Sequence, residues 1–243
     1  NATFIVSDTA ANLTGGNATL AAAGAIIVTD AVSVADATTI RALSALDADP
    51  TYSLSDTAAN LAAAGDVGTD AVNITATDAA TFAQGTTILA FSPTTLVMDI
   101  SQADLTNHAA NTANAATDIT ITGALTHTDA ATILGNTNSG TTTLASVTGT
   151  SAQLAALTVG DATITAVTGS DDATADEITT ILGFTTPSAY SLTDSAANLV
   201  ALPSSTLNGA TNLVSSGEAT VAQATVLDAA TNSGTTTFGI TDA

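Results

Sequence analysis

The chain has 243 residues, an apolar share of 45% and a net charge of −21, with Arg41 as its one Lys or Arg. A polyanion with a single cation repels phosphate backbones and anionic lipid, which excludes nucleic-acid binding and adhesion to acidic membranes. Cys is absent, so disulfides and thiolate chemistry contribute nothing, and no apolar run approaches the ~18 residues of a membrane-spanning helix.

Aromatic residues make up 3% and Trp is absent, so the apolar content is mostly Ala with Val, Ile and Leu. A core of this kind is a thin layer of small side chains. Self-repulsion at this charge calls for screening by salt, over a Debye length of about 8 Å at physiological ionic strength. The N-terminus lacks the basic-then-apolar pattern of a secretory signal. It opens on Asn1 rather than Met, which fits a processed or excised segment.

The first predicted strand begins at Phe4 in FIVSDTAANL, residues 4–13. Phe4 and Val6 stand two apart, the spacing of a strand with one buried face. Asp8 follows where a carboxylate caps a helix that starts immediately, and Leu13 anchors the return. The second strand begins at Ile26 with Val28 and Asp30, followed by Val34, Ala37 and Ile40 at helical spacing. YSLSDTAANL at 52–61 then restates the opening, with Tyr52 and Leu54 inward, Asp56 as cap and Leu61 as anchor. Ile74 and Asp78 lead into a helical stripe of Phe82, Gly85 and Ile88.

The same alternation continues along the chain. Leu96 and Met98 precede Leu105; Ile119 and Ile121 precede His127, Ala130 and Ile133; Leu144 precedes Leu154; Ile164 precedes Ala175, Ile178 and Ile181. YSLTDSAANL at 190–199 is the third copy of the decapeptide, with Asp194 and Leu199 in the cap and anchor places. Leu213 precedes Val221, Ala224 and Leu227, and Phe238 with Asp242 begins another unit. The polar residues Asp36, Gln84, Asp129, Glu177 and Gln223 lie off the helical stripes. TNSGTTT, at 137–143 and again at 231–237, suits a helix end followed by a strand.

Alternate strand starts (4, 52, 96, 144, 190, 238) recur about every 47 residues, a period that indicates a stacked array. The expected fold is an α/β solenoid of about five 47-residue repeats. Each repeat is two strand-plus-short-helix coils, with a parallel sheet on one side and helices supplying the crossovers. The alternative is an all-β parallel β-helix, since Thr, Val and Ile favour strands. Residues 1–243 read as one repeat domain, either a segment of a longer array or a subunit that stacks.

The phrase Y-S-L-[ST]-D-[TS]-A-A-N-L, with the AQ-containing helices and TNSGTTT, resembles the repeat arrays of large bacterial surface and secreted proteins, including RTX-type adhesins and surface-layer-like proteins. The resemblance covers nearly the whole chain, more strongly in the units at 4, 52 and 190. It implies an extracellular or cell-surface structural or adhesive role. The glycine-rich nonapeptide that binds calcium in RTX coils is absent, so the resemblance does not carry calcium over as a ligand.

Catalytic constellations are weak. His108 and His127 are the two histidines, and no G-x-S-x-G elbow accompanies the Ser and Asp residues. His127 takes a stripe position held elsewhere by Phe82 and Val221, as a partly buried residue at a helix start. Acidic groups gather at Asp66 with Asp70, at Asp47 with Asp49, and at Asp171 with Asp172 and Asp176. Glycosidase chemistry needs two carboxyls held across a cleft, which a regular solenoid does not offer. The last five acids are candidate ligands for weakly held Ca²⁺, the one cofactor the composition points to, at extracellular affinities of about 10⁻⁴ to 10⁻³ M. No P-loop or Rossmann fingerprint occurs. Sequons at Asn1, Asn12, Asn17 and Asn73 are what a Thr-rich repeat produces by chance.

The expected function is structural and non-enzymatic: a surface layer, adhesin stalk or filament built by end-to-end stacking, with copies of itself as partner and no direct membrane insertion. The alternative is a binding module that meets glycans or ice through outward residues such as Thr75, Thr77, Thr120, Thr122, Ser191 and Thr193.

Overall fold

A computed structural model describes residues 4–15, 23–43, 50–99 and 110–241. The chain is an α/β protein with parallel sheets and no closed barrel among the described residues. Two compact units are distinguished: Asn1–Thr120 with Thr137–Thr141, and Ile121–Asn136 with Thr142–Ala243.

The first unit begins with four strands, β1 (Ile5–Asp8), β2 (Ala25–Val32), β3 (Thr51–Asp56) and β4 (Asn73–Ala76), paired in that order and all parallel. Between them lie α1 (Ala10–Thr14), α2 (Val34–Leu43), α3 (Ala58–Ala62) and α4 (Asp66–Thr69). After β4 come α5 (Phe82–Leu89), β5 (Val97–Asp99) and α6 (Ala110–Ala115). Single parallel bridges, Thr75 with Thr95 and Ala80 with Met98, continue the pairing past β4. β5 pairs with the opening residues of β6 (Asp118–Thr126).

In the second unit the later residues of β6 neighbour β7 (Thr142–Gly149), which pairs in parallel with both β8 (Thr163–Ile164) and β9 (Val167–Gly169). α7 (His127–Leu134), α8 (Ser151–Ala155) and α9 (Ala175–Leu182) alternate with these strands. One bridge, Ala173 with Leu192, leads to β10 (Leu192–Asp194), β11 (Leu213–Ala219) and β12 (Thr236–Ile240). Their helices are α10 (Ala196–Ala201), α11 (Ser204–Gly209) and α12 (Val221–Asp228).

Every predicted strand start falls in or within two residues of a strand, and within each sheet strands pair with their next neighbour in sequence except β9, which pairs with β7. Helices on the return path set the all-β alternative aside. The sheet is interrupted, however: rather than eleven strands in one run, it divides where only isolated bridges join β4 to β5 and β9 to β10.

Packing follows the small-residue composition. Tyr52, Leu54, Ile74, Met98, Ile119, Leu144 and Leu192 are buried strand residues. Ala37 and Ile40, Ala130 and Ile133, and Ala175, Ile178 and Ile181 bury the helical stripes against them. Leu13, Leu61, Leu154 and Leu199 are buried as anchors, while Leu105 lies outside the described residues. Neighbouring helices pack side by side, α1 on α2, α3 on α5, α8 on α9 and α10 on α12. Their many Thr residues are accommodated by hydroxyls that donate to the carbonyl four residues back, as Thr38 does to Val34 and Thr179 to Ala175 at 2.7 Å each.

Pairing register differs from the sequence alignment by two residues at four strand pairs, whereas Leu144 stands opposite Ile164 as aligned. Val6, Leu54, Met98 and Leu192, rather than Phe4, Tyr52, Leu96 and Tyr190, stand opposite Ile26, Ile74, Ile119 and Leu213. Side chains alternate with period two, so this shift leaves every apolar residue on the same face. Register irregularities between Ile27 and Ala31 in β2, and between Val214 and Glu218 in β11, let longer strands end on a buried apolar residue, Val32 or Ala219, just before the helix.

The DTAANL-type coils at 52 and 190 hold a second short helix that the spacing did not reveal. Gly65 (φ 54°) opens α4, and Pro203 precedes α11. Each is tied to the sheet by a tyrosine: Tyr52 donates to the Val67 carbonyl at 2.8 Å, and Tyr190 to that of Thr206 at 2.7 Å.

Candidate functional site

The three decapeptides predict Asp as the cap of its own helix, and the structure corrects this. The residue after Asp is the N-cap: Thr57 and Ser195 accept from the backbone N–H of Asn60 and Asn198 at 3.3 and 3.2 Å. Asp56 lies one residue earlier and accepts at Oδ1 from the Thr57 N–H and from Asn60 Nδ2, both at 2.8 Å. Its other oxygen, Oδ2, accepts at 2.9 Å from the N–H of Val34, the first residue of α2 in the preceding coil.

This backward reach recurs. Asp30 accepts from the Ala10 N–H at 2.8 Å, Asp78 from Ala58 at 2.6 Å, Asp171 from Ser151 at 2.6 Å and Asp194 from Ala175 at 3.0 Å. In each case the donor is the first residue of a helix about twenty positions earlier, a group with no intrahelical acceptor. A carboxylate there also faces the positive end of the helix dipole. One carboxylate thus stitches two consecutive coils, and Asp56 and Asp194 also organise the turn of their own coil.

The electrostatics agree. Asn12 beside Asp8, together with the Thr9 N–H, holds that carboxyl below the usual carboxylate range. Partial burial pushes Asp56 up, but the bonds from Asn60, Val34 and Thr57 outweigh it and its pKa is lowered. Asp194 behaves alike, with Ala175, Asn198 and Ser195 overcoming its burial.

The ladder lapses where β7 carries Gly149 instead of Asp. A Cβ on Gly149 would stand 3.1 Å from that of His127, the first residue of α7, so close packing takes the place of the carboxylate. His127 is half-buried at this helix start, its Nδ1 3.4 Å from Thr128 Oγ1. His108 lies outside the described residues, as does Asp242.

The residues off the helical stripes also acquire a role. Gln84, Gln153, Glu177 and Gln223 each accept from the backbone N–H of a Thr three residues earlier, which caps in return. These are capping boxes, legible in sequence as T-x-x-[EQ]. The two TNSGTTT loops make matching contacts. Asn138 and Asn232 donate to the carbonyls of Thr117 and Thr211 at 3.1 Å, and the N–H groups of Thr141 and Thr235 donate to Asp118 and Asn212 at 2.6 and 3.0 Å.

Of the calcium candidates, Asp171, Asp172 and Asp176 do not form a cage. Asp47 and Asp49 lie outside the described residues. Asp171 caps α8, Asp172 accepts from Thr193 Oγ1 at 2.8 Å, and Asp176 is exposed in the first turn of α9. Among the described residues no three acidic or histidine side chains gather as a metal cage. Asp66 opens α4, whereas Asp70 forms a 2.8 Å ion pair with Arg41. Outward residues form short hydroxyl rows, Ser55 beside Thr75 beside Thr95 and Thr143 beside Thr163, but Ile27 stands beside Thr51 and Thr193 beside Val214. Comparison with protein-family models, curated proteins and solved structures finds no match to the chain.

Proposed function

We propose that the chain is an α/β solenoid with a structural role outside the cell, in a surface layer, adhesin stalk or filament that grows by adding coils end to end. The observation that carries this reading is the backward aspartate cap. At five helix starts a coil completes the helix of the coil before it, so those units are built to be followed by another like them.

The first and last described strands support the same reading. Phe4 beside β1 and Ile5 within it are exposed, and β12 carries Ile240 at 57% exposure, next to a helix whose Val221 is 60% exposed. Interior strands bury Tyr52 and Leu192, which correspond to Phe4 and Ile240. A parallel strand edge with apolar side chains is a template for another coil of the same kind.

Sizing and negative-stain microscopy of the purified protein in physiological salt test the stacking. Concentration-dependent rods are expected, and Ile5→Lys with Ile240→Lys should return them to monomers of unchanged circular dichroism. A monodisperse monomer at high concentration overturns the reading. Antibody labelling of intact source cells checks the location.

A further inference from the structure

A cavity of about 260 Å³ opens in the second unit where β9 gives way to β10. It exists because the coil starting at Ile164 returns through an irregular segment, 183–191, that seats Pro187 in the interior instead of another strand. Its floor is apolar, with Val167, Ala173, Ile178 and Ile181 all buried. Its rim is polar and carries Ser170, Asp171, Asp172 and Ser191. Tyr190 lines one side, its hydroxyl already held by the Thr206 carbonyl.

We propose that this cavity binds a single uncharged sugar ring, at a site separate from the outward hydroxyl rows of the sheet. Its size falls just below the range for drug-sized ligands and suits one ring. The rim is fixed before any ligand arrives. Asp171 is bonded to the Ser151 N–H at 2.6 Å and Asp172 to Thr193 Oγ1 at 2.8 Å. Among the described residues no donor occupies the second oxygen of either carboxylate, which leaves two acceptors for ligand hydroxyls. Ser191 Oγ accepts from Asn212 Nδ2 at 3.2 Å, which leaves its own proton to donate.

Two carboxylates on the rim, in a chain whose one basic side chain is paired with Asp70, reject anionic ligands. A simple cation finds acidic surface almost everywhere on this protein and gains little from an apolar floor. A pyranose uses both halves of the cavity, its C–H face on the floor and its hydroxyls on the rim.

The test titrates the full chain, labelled with ¹⁵N, with methyl glycosides of glucose, galactose, mannose and N-acetylglucosamine. Saturable shifts at the Ala173 and Ser191 amides are expected with at least one glycoside at millimolar affinity. Ala189→Trp, which fills the exposed mouth, should weaken binding at least about tenfold, and Asp172→Asn should weaken it less. Circular dichroism confirms that both variants fold. Absence of saturable shifts with any glycoside, shifts untouched by Ala189→Trp, or saturation by an alkylamine alone would overturn the proposal. The titration is run on the full chain carrying Ile5→Lys and Ile240→Lys, substitutions outside the cavity lining, so its readouts do not depend on whether the protein stacks.

Discussion

Replacing Asp56 with Ala removes one carboxylate from three donors at once: the Val34 N–H, the Thr57 N–H and Asn60 Nδ2. The first belongs to the preceding coil and opens α2, the ten-residue helix whose Ala37 and Ile40 are fully buried. Loss of a helix cap costs about 1 kcal/mol. The other two donors are near the surface, where water replaces the carboxylate at little cost, so the total is about 1–3 kcal/mol. In a chain of this length that lowers the thermal midpoint by about 2–12 °C. The control is Asp161→Ala, which removes the same charge from an exposed turn residue with no bonded partner among the described residues. With a net charge of −21, that change should leave the midpoint level or raise it slightly. Thermal denaturation followed by circular dichroism gives the midpoints, and hydrogen exchange gives the location. The Val34 amide should exchange faster in Asp56→Ala, although it lies 22 residues from the substitution. Equal midpoints for the two variants, with Val34 exchange unchanged, would refute the account of the coils as stitched by their aspartates.

Asp56 and Asp194 titrate below the ordinary carboxylate value in the folded chain, so their contribution is complete above the unfolded value of about 3.9 and disappears as pH falls through the folded values. Melting midpoints measured at high salt between pH 7 and pH 2 should drop in that acid window, and the drop should shrink in Asp56→Asn with Asp194→Asn. Gly140→Ala should destabilise by about 1–3 kcal/mol, because its Cβ would collide with the Asp118 carboxylate and stand 2.7 Å from the Thr117 carbonyl oxygen. Gly123→Ala meets nothing within 4 Å and should be near neutral in urea denaturation; equal effects would show that the TNSGTTT loop yields. The broken hydroxyl rows predict no thermal hysteresis from the purified protein, and measurable hysteresis would restore an ice-binding sheet.

What the sequence determined by itself is the coil. Period-two pairs such as Tyr52 with Leu54 and threefold-spaced stripes such as Ala175, Ile178 and Ile181 state which residues face inward, because burial acts on each side chain through its local periodicity. That signal survives even where the DTAANL letters are lost, as in the coil of Leu144 and Leu154. What only the tertiary structure decided is how coils meet. Asp56 reads locally as the cap of the helix beside it, and nothing within its own ten residues points to Val34. The bond exists because parallel stacking brings that helix start alongside. The two-residue register, the gaps in the sheet at the isolated bridges and the cavity over Ile178 have the same origin. Each depends on the separation between neighbouring coils, and a repeat period constrains that separation only to within a residue or two.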